Sequence, residues 1–408
     1  MSTLFKKVYL HLFVFITIYI EFGYHMQVTN QVPGWIRMAV LLASSLPLLF
    51  FSIKKTIKAA PVLWFIYFTV LILANAFRGE ALKNCLLLLV PLSVGFIAAT
   101  TVDLRELIKA FNNVVLFLAA FSLVTFIISL TVPSLIDALP SLPTPFTTDA
   151  RIHNAFFSVC IRNSVNLRNY GITWEPGAFA VLLSVSLYCQ LILNEKPNFK
   201  KIVLLIATMI TTFSTMGYFV MAAILFISLF QRQQFTKKRF MGGLLLCATV
   251  VVVFFFLPTE WRQLVFMKLE GLFNEDTSLS VTTQARLDAV IYPFRAFISS
   301  PVFGVGYDAF SIINETLCNS AATNTILNWF AVMGILLGAP CLFYYFKFIL
   351  LSADHVRLSK VSLIVLLAAA VLLVSTESLL RISLIYVIIF CGMNSDCFEK
   401  KGAQIAQA

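Results

Sequence analysis

The sequence predicts an all-α polytopic integral membrane protein, with about twelve transmembrane helices and two long outer loops. Three observations carry that prediction. Of 408 residues, 60% are hydrophobic and 12% charged, with a mean hydropathy of +0.90, against roughly 25% charged in a water-soluble chain. Apolar runs long enough to span a bilayer, or nearly so, recur along the whole length. The cations divide unevenly between the two sets of loops that those runs define.

The runs lie at about 8–22, 35–53, 59–77, 82–100, 109–132, 171–193, 202–215, 217–231, 241–257, 323–351, 361–376 and 379–393. Two pairs are nearly fused: Thr211-Thr-Phe-Ser-Thr-Met-Gly217 interrupts the first and Ser375-Thr-Glu-Ser378 the second. Each fused stretch exceeds about 30 residues, roughly 45 Å of helix against a hydrocarbon core of about 30 Å. Two short helices fit that length better than one tilted span.

With both termini inside, the inner segments collect most of the cations, chiefly as lysines such as Lys6, Lys7, Lys54, Lys55, Lys58, Lys200, Lys201, Lys237 and Lys238. That is the positive-inside pattern. The outer cations are mostly arginines, the residue suited to phosphate or carboxylate recognition. The first apolar run lacks a small-residue cleavage site and reads as a retained span. No basic cluster with interleaved aromatics points to nucleic acid. Six of eight cysteines fall in or beside spans and read as packing residues, while Cys160 and Cys318 fall in outer loops where they could bridge. No Cys/His spacing indicates a metal site.

Residues 1–408 read as a single membrane domain. Residues 133–170 form the first long outer loop and 258–322 the second, and between them they carry Arg151, His153, Arg162, Arg168, Arg262, Arg286 and Arg295. Loops this long are functional or disordered, and their aromatic content argues against disordered linkers. In the second, Leu287, Val290, Ile291, Phe294, Phe297 and Ile298 recur at helical spacing, predicting an amphipathic surface helix with Pro293 as a kink point. Arg286 and Arg295 sit on opposite flanks of that stripe, one free for function and the other for snorkelling.

The stretch richest in chemistry is Arg168-Asn-Tyr-Gly-Ile-Thr-Trp-Glu-Pro-Gly177. Pro176 disfavours helix at Glu175 and suits the first helical position, so the sixth span should begin there. Its free N–H groups and dipole then form an anion site at the outer interface, with Arg168 beside it. Arg168 and Glu175 form either a salt bridge pinning the loop, or a site where arginine binds phosphate and glutamate binds or deprotonates a hydroxyl. Trp174 fits an interfacial anchor or a sugar-stacking surface. Glu377 and Arg381, at helical i and i+4, read as a structural pair. Arg37, Arg78 and Glu80 read as span-end anchors, and His153 as a solvated loop histidine.

These residues carry a resemblance. Arg168-x-x-Gly171 followed by Trp174-Glu175-Pro176-Gly177, the Ser214-Thr-Met-Gly-Tyr218 break, Arg286 with Ser300-Pro-Val-Phe-Gly-Val-Gly306 downstream, and Asn324 followed by Gly334 resemble motifs of Wzy-type O-antigen polymerases, within the O-antigen polymerase/ligase family. The resemblance covers residues 168–334; the first 165 residues match in hydropathy alone. It implies a GT-C-like, metal-independent glycosyltransferase of the bacterial inner membrane, needing no cofactor, with both long loops periplasmic and both termini cytoplasmic. Donor and acceptor would be undecaprenyl-pyrophosphate-linked oligosaccharides, and other partners membrane lipids and a chain-length regulator. By this resemblance Arg168 and Arg286 take the pyrophosphate and Glu175 the acceptor hydroxyl, with Gly171, Trp174, Gly177, Arg151 and Asn324 lining the substrate.

Two alternatives stand beside it. An O-antigen ligase of the same family usually carries a functional histidine in its second long loop, and none of His11, His25, His153 or His355 lies in 258–322. A transporter or flippase for lipid-linked sugars should bury charge at the midplane, whereas here the charges gather at the outer ends and in the long loops.

Overall fold

Lipid offers no partner to backbone polar groups, so an apolar chain satisfies them within helices. The computed structural model describes residues 3–29, 32–52, 58–142, 151–162, 168–194, 197–231, 279–317 and 323–398. In order they form α1 (Thr3–Phe22), a short α2 (Tyr24–Gln27), α3 (Gly34–Ser45) continued by a tighter turn over Leu46–Ser52, α4 (Ala59–Ala76), α5 (Leu82–Thr101), α6 (Leu104–Thr131) and α7 (Pro133–Asp137). There follow α8 (Pro176–Tyr188) with a wider turn over Cys189–Leu193, α9 (Phe199–Thr211), α10 (Thr215–Gln231), α11 (Leu279–Ser299), α12 (Tyr307–Leu317), α13 (Thr325–His355), α14 (Lys360–Ser375) and α15 (Ser383–Met393). The predicted run at 241–257, and the first part of the second long loop, lie outside the described residues.

Among the described residues six helices are long and apolar enough to cross a membrane: 34–51, 59–76, 82–101, 104–131, 176–193 and 325–355. The chain is a polytopic membrane protein. Both fused apolar stretches are indeed interrupted, the first at Thr212–Ser214, where Phe213 has φ +49°, and the second over 376–382.

α8 lies at the centre. Its spanning window is 72% buried, against 22% for α4, so its start opens inside protein and not into lipid. It packs against α6, α9 and α10; α10 in turn packs on α14, and α15 on α5 and α13. Glu21, near the end of α1, is itself buried and ties this bundle together by accepting the Ser383 backbone N–H at 2.8 and 2.9 Å, capping α15 from another helix.

The first long loop departs from the all-helical expectation. After α7 it forms a small antiparallel sheet of β1 (Ser141–Leu142), β2 (Arg151–Asn154) and β3 (Val159–Arg162). Strands of two and four residues show too little alternation to be read in advance. His153 is not solvated either: it is 4% exposed, its Nδ1 lies 3.0 Å from Leu139 O, and its Nε2 is 3.7 Å from Asp137. Cys160 is a buried free thiol whose burial raises its pKa to about 11, with Thr125 opposing; Cys318 lies outside the described residues.

α13 is broken at Gly334 (φ +64°, ψ −170°), and the end of the second loop fills the break. Val305 and Gly306 donate to Ala331 O and Val332 O at 2.8 and 3.2 Å, while Ile335 and Leu336 donate to Pro301 O and Val302 O at 2.8 and 3.3 Å. Glycine is required at both faces of this contact, because a Cβ on Gly304 or Gly334 would overlap the other segment's backbone. Arg78 and Glu80 clamp the same turn. Arg78 donates to Gly304 O and Ser300 Oγ, both at 3.2 Å, and Glu80 accepts the Asp308 N–H at 2.9 Å. Asp308 itself accepts from Ala81 N at 2.8 Å and from Asn84 Nδ2. Arg37, the third predicted anchor, binds Met26 O at the end of α2.

α11 runs unbroken through Pro293. Its small residues Ala289 and Ala296 are buried toward α13, while Leu287, Val290, Phe294 and Ile298 are exposed. An apolar stripe turned away from the protein is what a helix lying against lipid presents.

Candidate functional site

The segment leading into α8 is held on both sides. On one, Tyr24 N donates to Ile172 O at 2.9 Å and Trp174 N to Phe22 O at 3.1 Å; on the other, Asn169 N donates to Thr211 O and Asn169 Nδ2 to Thr211 Oγ1, both at 2.9 Å. Gly171 adopts φ +54°, and an added Cβ would lie 2.6 Å from the Phe179 ring. Glycine is therefore a packing requirement at this position. Trp174 stacks on Phe22 with ring centroids 5.4 Å apart, so one face of the predicted sugar platform is already taken.

Pro176 opens α8 as predicted, and Glu175 before it is extended (φ −153°, ψ 158°), with no side chain capping the helix. Arg168 reaches across to the end of α9, its Nε donating to Thr212 O and one terminal nitrogen to Phe213 O, both at 3.1 Å. These carbonyls sit at the left-handed turn between α9 and α10, where orphan acceptors are expected. Ser214 Oγ then accepts the Gly217 N–H at 3.3 Å to start α10, and Gly217 brings α10 onto Ala180 of α8. Burial lowers the Arg168 pKa, opposed by the charges of Tyr170, Glu175, Tyr218 and Glu377. No Arg168–Glu175 ion pair forms among the described residues, which removes the pinning salt bridge.

The partner that approaches Glu175 comes instead from the turn after α14. Thr325 donates its hydroxyl to Glu377 O at 2.5 Å and accepts the Leu379 N–H at 2.7 Å, while Asn328 Nδ2 donates to Ser378 Oγ at 3.4 Å. So anchored, the turn points Glu377 at the first turn of α8, where a Cβ on Gly177 would overlap its Oε1. Glu377 is 3% exposed, and its Oε2 has no hydrogen-bond donor. Burial first, then the charge and hydrogen bonding of Glu175, hold its carboxyl well above the ordinary range, with Arg168 opposing.

This corrects the predicted Glu377–Arg381 pair. Residues 376–382 are not helical, so the i, i+4 geometry never forms, and Arg381 lies over the Tyr307 ring at 4.8 Å. It also changes the predicted anion site, because a carboxyl faces the N-terminus of α8. Asn324 caps α13, its side-chain oxygen accepting the Leu327 N–H at 3.0 Å. Arg286 stands on α11 and Arg151 on β2, and the side chains of both lie outside the described residues. Among the described residues no cluster of His, Cys, Asp and Glu could hold a metal.

Two cavities adjoin the site. One, small, is lined by Arg168, Asn169, Ser158 and Cys160. The other is almost wholly apolar and lies between α1, α5, α6, α8, α13 and α15, with Glu21, Phe22 and Ser383 in its lining. Phe22 connects it to the site through Trp174. Its lining suits a hydrocarbon chain.

Residues 202–343 match the family model described as O-antigen ligase. The matched stretch is similar to that family and runs from α9 into α13, including Arg286 and the Gly304–Gly334 contact; Arg168, Glu175 and Glu377 lie beyond it. None of the curated proteins compared matches the chain. The match supports a role in handling O-antigen or a related glycan.

Proposed function

We propose that the protein is an oligosaccharide repeat unit polymerase, transferring a growing glycan from undecaprenyl pyrophosphate to a lipid-linked acceptor unit at the periplasmic face of a bacterial inner membrane. The observation that carries this reading is the meeting of Arg168, Glu175 and Glu377 at the enclosed start of α8, where the outer end of the bundle joins the first long loop. The adjoining apolar cavity offers room for part of a lipid chain. In this reading the helices described here belong to a GT-C-like array of about twelve spans, with both termini cytoplasmic.

Glycosyl transfer needs a group that receives the acceptor hydroxyl's proton and cations that stabilise charge developing on the leaving pyrophosphate. Glu175 serves the hydroxyl. Two Arg168 N–H groups are committed to Thr212 and Phe213, and the remaining donors, with Arg286, serve the pyrophosphate. No metal or cofactor enters the scheme. Membrane lipids surround the site, a chain-length regulator is a partner of the same reading, and nucleic acid is not.

The description of the matching family model favours a second reading, ligation of the finished glycan onto lipid A core. Against it stands the absence of histidine from residues 258–322. Lipopolysaccharide from a polymerase-null strain complemented with Arg168→Ala, Glu175→Ala or Arg286→Ala separates the two. Loss of the ladder with single-unit ligation intact is the expected result. Full ladders from variants that reach the membrane would overturn the site assignment, and loss of ligation alone would make the protein the ligase.

A further inference from the structure

Glu377 was bland in sequence, and the glycan-transfer scheme above gives it no task. Its placement is nevertheless costly. A carboxyl 3% exposed, in an apolar bundle, has an oxygen that no donor reaches. An ionised carboxylate in that position would lack the donors it needs. The adjacent group is a second carboxyl, that of Glu175, close enough to hydrogen-bond. Two carboxyls in contact satisfy each other only when a proton lies between them, one then donating to the other. The same turn is fixed by Thr325 and Asn328 on α13, and Gly177 leaves out the side chain that would block it. The cradle therefore holds Glu377 against Glu175 from two helices, α13 and α8, and no side chain caps the helix start.

We propose that Glu175 and Glu377 act as one carboxyl pair holding a single proton, in which Glu175 receives the acceptor hydroxyl's proton and Glu377 is the positioning residue that aims it. This rests on the glycan-transfer reading. In the step, the acceptor O–H bond breaks and its proton passes to Glu175. The freed oxygen bonds to the anomeric carbon, whose bond to the lipid pyrophosphate breaks with its electron pair going to the pyrophosphate oxygen. The pair ends neutral with two protons, and release of one to water resets it. Burial and the neighbouring Glu175 charge keep the proton on Glu377, and Arg168, with Tyr170 and Tyr218 beside it, tempers that effect.

Two measurements on the full-length chain in lipid test this. Infrared difference spectra across a pH titration should show a protonated carboxyl at neutral pH that Glu377→Gln removes, and whose titration Glu175→Gln moves to lower pH. Spectra in which Glu377→Gln removes no protonated-carboxyl band, buried Glu21 keeping any band of its own, overturn the pair. A band that behaves as stated in a protein that transfers no lipid-linked glycan leaves the pair standing and sinks the glycan-transfer reading instead. In the transfer assay, Glu175→Gln should lower the rate at least about 100-fold, the scale of a lost general base. Glu377→Gln keeps a donor to Glu175 but not the exchangeable proton. It should lower the rate about tenfold, the worth of one hydrogen bond, and abolish the decline at high pH, where wild type loses the proton and the two charges repel. A Glu377→Gln variant as inactive as Glu175→Gln, or one with the wild-type pH profile, overturns the positioning role.

Discussion

Two places in this bundle interrupt regular helix, and they treat their polar groups in opposite ways. At Gly334 the break in α13 frees two carbonyls and two N–H groups, and all four are bonded by residues 301–306. Arg78, Glu80 and Asp308 around it each have named partners. At the start of α8 the helix is uncapped, an oxygen of Glu377 lacks a donor, and two carboxyls stand side by side. In an apolar surrounding the first arrangement is the one selected for stability, since unsatisfied groups are costly. The second persists only where the surrounding structure holds it, which is what the proposed site requires and a structural joint does not.

That contrast can be broken by substitution. The largest effect is expected at Gly334→Ala, where a positive φ and overlap with the Val302 backbone act together. A loss of about 3 kcal/mol or more is expected, read as reduced accumulation in membranes and a lowered thermal midpoint in detergent. Asp308→Ala comes next, since it strips acceptors from Ala81 N and from the buried Asn84. It should cost about 2 kcal/mol by the same measurement, and an unchanged midpoint would mean that the clamp is not a joint. The smallest effect should have the opposite sign. Glu377→Gln removes a carboxyl whose folded pKa lies above its ordinary value of 4.5, chiefly through burial. The unfolded chain releases that proton above pH 4.5 while the folded chain keeps it, so the native state loses stability as pH rises from 4.5 toward the folded value. The variant should lose that slope and be the more stable protein at neutral pH, as expected where function sustains strain. A flat wild-type profile through that window would place Glu377 among the satisfied groups.

Much of this was legible in the chain. The apolar runs mark helices wherever they are described, and Pro176 marks the start of α8 because its ring fixes φ and lacks the N–H a first turn leaves unused. The interruption at 211–217 was visible as polar residues inside an apolar stretch. Glu377 was misread because its partner is remote in sequence: helical spacing offered Arg381, while the actual contact depends on a turn that α13 anchors against α8. The packing duty of Gly171 and the capping duty of Asn324 were not legible, because packing glycines and capping asparagines have the same letters as binding ones. The β1–β3 sheet escaped because strands this short leave no period.

The docking of residues 301–306 into the gap at 331–336 also sets where the chain's length can vary. Each segment meets the other residue against residue, through glycines that tolerate no neighbour one position along. One extra residue inside either segment would put a side chain where bare backbone must pass, whereas one added between them leaves both registers intact. Descendants of such a chain would therefore keep these two short stretches at constant length while the sequence joining them drifts in size.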